Sequence, residues 1–128
     1  MLRVWVDDWQ MQCCGQPIEV GAKVSWTLKP ADDLDFAAAV LGQELAQSLT
    51  HAEEHHGGLP DGAPVTVGTV TAIKAVRCRY DRAPGGDDKT LYPVEGTVDL
   101  REVSRADGWE RDEPDLRFVC YLVDVDED

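Results

Sequence analysis

Residues 116–125, with Phe118-Val119-Cys120-Tyr121-Leu122-Val123 at their centre, are apolar on both alternating phases. Successive side chains of a strand point to opposite faces, so this stretch is buried on both, as a central or barrel-closing strand is. The remaining strand patterns are weaker or one-sided. Val24, Trp26 and Leu28 alternate with Lys23, Ser25, Thr27 and Lys29, which describes a half-buried strand ended by Pro30. Residues 2–6 form a short first strand, with Trp5 on the opposite phase from Val4 and Val6. Residues 65–80 form a long one whose apolar phase slips between Ile73 and Val76, which predicts a bulge or a strong bend. Residues 96–103 read as a further strand.

One helix interrupts this series. Leu34, Ala38, Leu41, Leu45 and Leu49 recur at three- and four-residue steps. Asp32 or Asp33 is a ready N-cap, and Gly57-Gly58 supplies a stop. Residues 7–16 read as a loop, 57–64 as a turn-rich linker, 83–89 as a flexible connection, and 106–114 as an acidic loop containing Trp109. The order predicts an α+β fold: a small bent antiparallel barrel-like sheet of about five strands, OB- or SH3-like, with one amphipathic helix packed on it.

The 128 residues suit a single globular domain, spanning 1–128, that buries a core without disulfides. No apolar run approaches the ~18 residues of a membrane span. The first residues also lack the basic start and apolar stretch of a signal peptide, so the expected location is cytoplasmic.

Twelve Lys and Arg face 25 Asp and Glu, a net charge of −13, unevenly spread. Residues 31–62 carry seven acids and no Lys or Arg, and residues 91–128 carry twelve acids against four arginines. Such a field repels phosphate backbones and anionic membranes, so neither nucleic acid nor a membrane is an expected partner. It suits a basic protein or a cation, and solubility alone also accounts for it. Arg77 and Arg79 alternate with Val76, Cys78 and Tyr80 and share one strand face. That face is either a local anion contact or an outward surface whose arginines pair with neighbouring acids.

Cys78 and Cys120 lie among apolar strand residues, as small buried hydrophobes. Cys13-Cys14 sits in the first loop instead, open to metal ligation, thiol reactivity or plain packing. All three histidines fall in His51-Ala52-Glu53-Glu54-His55-His56. If the helix runs to Gly57, His51 and His55 stand at i and i+4, a spacing that lets two imidazoles share a metal. Cys13 or Cys14 with two of His51, His55 and His56, completed by Glu53 or Glu54, then makes a candidate zinc site. Neither C-x-x-C nor H-E-x-x-H occurs, and histidines at a helix end also favour its dipole without any ligand. A Cys-dependent enzyme would draw on Cys14, His55 and Glu54, but no oxyanion hole or phosphate-binding loop is visible. Trp26 is in phase with the core. Trp9 and Trp109 lie in predicted loops, where large aromatics anchor a protein or flat ligand, or lid the open end of a barrel.

The stretch Val4-Trp5-Val6-Asp7-Asp8-Trp9-Gln10-Met11-Gln12-Cys13-Cys14-Gly15-Gln16-Pro17 is followed by Val24-Ser25-Trp26-Thr27-Leu28. With Glu54-His55-His56-Gly57 and residues 118–123, it resembles a family of small acidic proteins of unknown function from high-GC bacteria. The resemblance runs over nearly the whole chain, and implies a compact intracellular protein with no assigned activity. Arg-over-Lys usage, 8 to 4, agrees with a high-GC source. The first expectation for function is a non-enzymatic binding or regulatory module acting through a protein or small-ligand surface. Trp9, Trp109, Cys13 and Cys14 are its contact elements. The alternatives are a zinc-stabilised domain, an acidic inhibitor or immunity-type protein, and a Cys-dependent enzyme.

Overall fold

The computed structural model describes residues 1–13, 16–31, 34–53, 64–82, 85 and 90–128, with the side chains of Trp9, Gln10 and Cys13 outside that description. In chain order the elements are β1 (Leu2–Asp7), α1 (Asp8–Cys13), β2 (Ile18–Glu19), β3 (Lys23–Pro30), α2 (Asp35–Leu41), α3 (Gln43–Gln47) and β4 (His51–Glu53). Then follow β5 (Val65–Cys78), β6 (Tyr80–Asp81), β7 (Tyr92–Pro93), β8 (Asp99–Val103), β9 (Arg105–Ala106) and β10 (Arg117–Glu127).

β10 pairs with β1 on one edge and with β5 on the other, and β4 and β3 complete a closed five-strand barrel. The strand that is apolar on both phases is thus the one that closes the ring. The sheet is mixed rather than antiparallel throughout, because β4 runs parallel to β1 with Val4 opposite His51 and Trp5 opposite Ala52. The chain reaches β4 only after α1, β3 and the two later helices, a crossover long enough to bring a strand back in parallel. β8 hangs on β5 outside the ring, from Ile73 opposite Val103 to Arg77 opposite Asp99.

Alternation then sorts two cores. Val4, Val6, Val24, Val70, Ile73, Tyr121, Val123 and Val125 fill the barrel, with Trp26 and Leu28 partly buried against them. Trp5, Val76, Cys78, Cys120 and Leu122 point outward and are covered by Ala37, Val40, Leu41, Ala46 and Leu49 from the helical layer. Each fully buried Val or Leu contributes about 1.5–3 kcal/mol, so both layers count.

Two one-residue insertions let the wall curve. Opposite Asp124 and Val125 stand Ala72 and Val70, leaving Thr71 extra on β5; opposite Arg77 and Val76 stand Phe118 and Cys120, leaving Val119 extra on β10. A bulge bends its strand and increases the twist, which a small closed barrel requires. The slip expected between Ile73 and Val76 is corrected accordingly. Ile73 faces the barrel and Val76 the helices, so both phases are apolar there, while the bulge lies earlier, at Thr71. The strands also come very close at Gly68, where a Cβ would lie 2.6 Å from Val125 Cγ1 and 2.7 Å from the Asp126 carbonyl oxygen.

The single long helix is corrected too. It breaks at Gly42, whose φ of 88° and ψ of 158° lie where only glycine is at ease, and it ends at Gln47. Ser48 Oγ donates to the Leu45 carbonyl at 2.6 Å, and the Thr50 amide donates to the Arg3 carbonyl at 3.0 Å. The chain has by then joined β1, so His51 lies on a strand and the helical i, i+4 pairing with His55 is lost. Residues 8–13 of the expected loop are helical instead. Buried Met11 pins that helix, and Gln12 Nε2 donates to the Gly108 carbonyl at 2.6 Å.

Candidate ligand-binding site

Over its described residues, His51–Glu53, β4 pairs with β3 at Leu28, Lys29 and Pro30. The preceding half of β3, residues 23–27, pairs with β5 on one edge. A cavity of about 490 Å³ has the consecutive residues Lys23 to Thr27 in its lining. Val6, Met11, Pro17 and Ile18 supply apolar wall, and Gln16 and Glu53 polar wall. Most small-ligand pockets are of this order of size and share this mixture.

Glu53 is the unusual member. It is 5% exposed, and it and Arg77 are the buried charged residues among those described. Its register beside Leu28 and next to Val6 turns its side chain inward. Lys23, the other charged residue among the described lining, pairs with Asp128 Oδ2 at 2.7 Å, with its side chain 66% exposed.

Arg77 has a structural explanation. Its Nε donates to the Arg111 carbonyl at 3.0 Å, and Nη2 lies 3.6 Å from Glu110 Oε2. The Gly108 amide donates to the Tyr121 hydroxyl at 3.1 Å, and that hydroxyl donates to Glu110 Oε1 at 3.2 Å. Burial foremost, with the Glu110 carboxylate adding to it, pushes the Tyr121 phenol well above its ordinary range. This network ties the loop of residues 107–116 to the barrel. Arg77 therefore faces inward, not outward, while exposed Arg79 pairs with Asp81 at 3.5 Å as an arginine among acids does.

Of the expected contact residues, Trp109 is the one whose side chain is described. Trp109 is 67% exposed on a loop packed against α1, and it is not part of the lining. Trp9 and Cys13 lie on α1 with side chains outside the description, and Cys14, Glu54, His55 and His56 lie outside the described residues altogether. Gln16 and Glu53, which border the cysteine and histidine segments, both line the cavity. His51 is half-buried on β4, with a buried Nδ1 that has no hydrogen-bond partner among the described groups. Among the described residues no three His, Cys, Asp or Glu side chains gather as a metal site. Cys78 and Cys120 are fully buried; burial, and for Cys120 the neighbouring Asp7 and Asp8, raises both thiols above their ordinary range. Glu53 was legible only as an acid near histidines, and Trp26 only as core; which residues of distant segments line one cavity is a matter of pairing.

By fold, the chain is a closed mixed β-barrel with a helical cover and a cavity in its wall. It belongs to the family of unknown function DUF6578, whose pattern matches residues 1–127. No curated protein and no solved structure matches it. Among the described residues no helix is long and apolar enough to cross a membrane.

Proposed function

We propose that the domain is a non-enzymatic binding module that holds a small ligand with an apolar body in the cavity beside β3. The observation that carries this reading is the cavity itself: about 490 Å³, with Val6, Met11, Ile18, Val24 and Trp26 in its lining. Burying the apolar body of a ligand against these side chains gives about 25 cal/mol per Å² of surface removed from water, before the cost of immobilising it. Gln16 and Pro17 line the cavity, which supports reading the neighbouring Cys13 and Cys14 as contact elements. Exposed Trp109, on the loop that Gln12 of α1 holds at Gly108, is the second, outer contact element of this reading.

A titration with phenethyl alcohol, followed by the Trp26 indole ¹H–¹⁵N resonance, tests the reading. The expected result is a saturable shift of Trp26 together with the methyl signals of Val6, Met11 and Ile18. An unshifted Trp26 indole at saturating alcohol, or shifts scattered over the surface, overturns it.

A further inference from the structure

We infer that the outer edge of β8 takes up an extended, basic segment of a partner protein as an added antiparallel strand, an interaction surface separate from the cavity. A closed barrel has no strand edges, and β8 restores one. It is the end strand of its sheet and pairs with β5, from Ile73 opposite Val103 to Arg77 opposite Asp99. An antiparallel ladder engages the amide and carbonyl of every second residue, so the alternate ones of β8 point away from β5. Among the described residues nothing but β5 exchanges hydrogen bonds with the backbone of residues 99–103. Leu100, Arg101 and Glu102 are exposed, so solvent reaches that edge.

Edges are commonly guarded by proline, by lysine or by a charge laid along them. β8 contains neither proline nor lysine, and its arginine is drawn aside. Arg101 Nη1 and Nη2 bond to Glu113 at 2.8 and 2.6 Å, and Nη2 lies 3.2 Å from Asp99 Oδ2. Glu113 belongs to the loop that Tyr121 and Arg77 tie to the barrel, so the strand is held in place before a partner arrives. An edge ordered in advance costs less to bind.

Charge selects the partner. Residues 95–115 carry eight acids and three arginines, and the whole chain −13; this field repels an acidic strand or a second copy and draws a basic one. Leu100 and Glu102 share the strand face opposite Arg101. A lysine opposite Glu102, followed two residues later by an apolar side chain opposite Leu100, matches them.

The probe is the acetylated and amidated peptide Thr-Lys-Thr-Val-Thr-Val, titrated at low salt into the ¹⁵N-labelled full chain. A backbone N-methylated copy and a copy with glutamate in place of lysine accompany it. Expected are saturable shifts of the amides of residues 99–103, slowed exchange at every second one, and an unshifted Trp26 indole. The N-methylated copy should not bind. The glutamate copy should bind about fivefold or more weakly, as should the parent peptide to Glu102→Lys. Equal binding of the N-methylated copy reduces the effect to charge and overturns the added strand. Equal binding of the glutamate copy overturns the basic partner. Shifts elsewhere, or none at about 10 mM peptide, overturn the whole. Protection of the β8 amides that rises with concentration of the protein alone assigns the edge to a second copy, and overturns it too.

Discussion

Tyr121 shows how far one hydroxyl organises a loop. It accepts from the Gly108 amide and donates to Glu110, while its ring packs edge-on against Phe118 at 5.0 Å between centroids. Tyr121→Phe keeps the ring and strands a buried amide, so the expected loss is about 1–3 kcal/mol in urea denaturation. Arg101 and Glu113 tie the same loop from the outside through two hydrogen bonds of 2.8 and 2.6 Å. Its hydrogen bonds to Arg101 hold the Glu113 carboxyl below its ordinary value of 4.5. A depressed folded-state pKa means that the contribution is present above the unfolded value and is lost as pH falls through the folded one. The melting temperatures of wild type and Glu113→Gln should therefore differ above pH 4.5 and converge in more acid buffer. For the buried thiols, raised values mean little thiolate at neutral pH. Iodoacetamide followed by peptide mapping should leave Cys78 and Cys120 unmodified in the native protein and label both on unfolding.

At the scale of elements, the sequence was most legible where burial is extreme. Residues 116–125 announced a strand covered on both sides because no one-sided element needs so many apolar residues in a row. The helix was legible in place but not in length. Its leucine spacing continues smoothly through Gly42, and nothing in a periodicity reports that one residue sits at φ 88°. Gly42→Ala should destabilise by about 1–3 kcal/mol in denaturant titration, despite alanine's better helix propensity, since the break and not the helix is the native conformation. α1 escaped notice for a different reason: six residues are under two turns, too few for any pattern to repeat. The fate of His51 followed from these errors. A strand begins there because Thr50 and Arg3 exchange hydrogen bonds across 47 residues of sequence, information that no local window holds.

On the scale of the whole molecule, curvature governs what is possible. The barrel closes because β5 and β10 each carry an extra residue and because Gly68 lets them approach within side-chain distance. Gly68→Ala puts a methyl where Val125 and the Asp126 carbonyl already are, and a melting curve should show one of the largest losses of any alanine substitution in the chain. The candidate site depends on this scale as well. Val24 and Trp26 were readable as inward residues, but a cavity beside them requires knowing which other elements, α1 and the residues 16–18 among them, come to line it. No alternation encodes a neighbour's identity.

The order of the ring strands also sets a timetable for synthesis. Each of β1, β3, β4 and β5 leaves the ribosome before β10, and both seams of the barrel involve β10. A nascent chain halted near residue 110 thus exposes the edges of β1 and β5 that β10 later occupies, with Val4, Val6 and Val70 wet. Closure therefore waits for β10, and a delay in synthesising residues 117–127 prolongs exposure to aggregation or to a chaperone's grip.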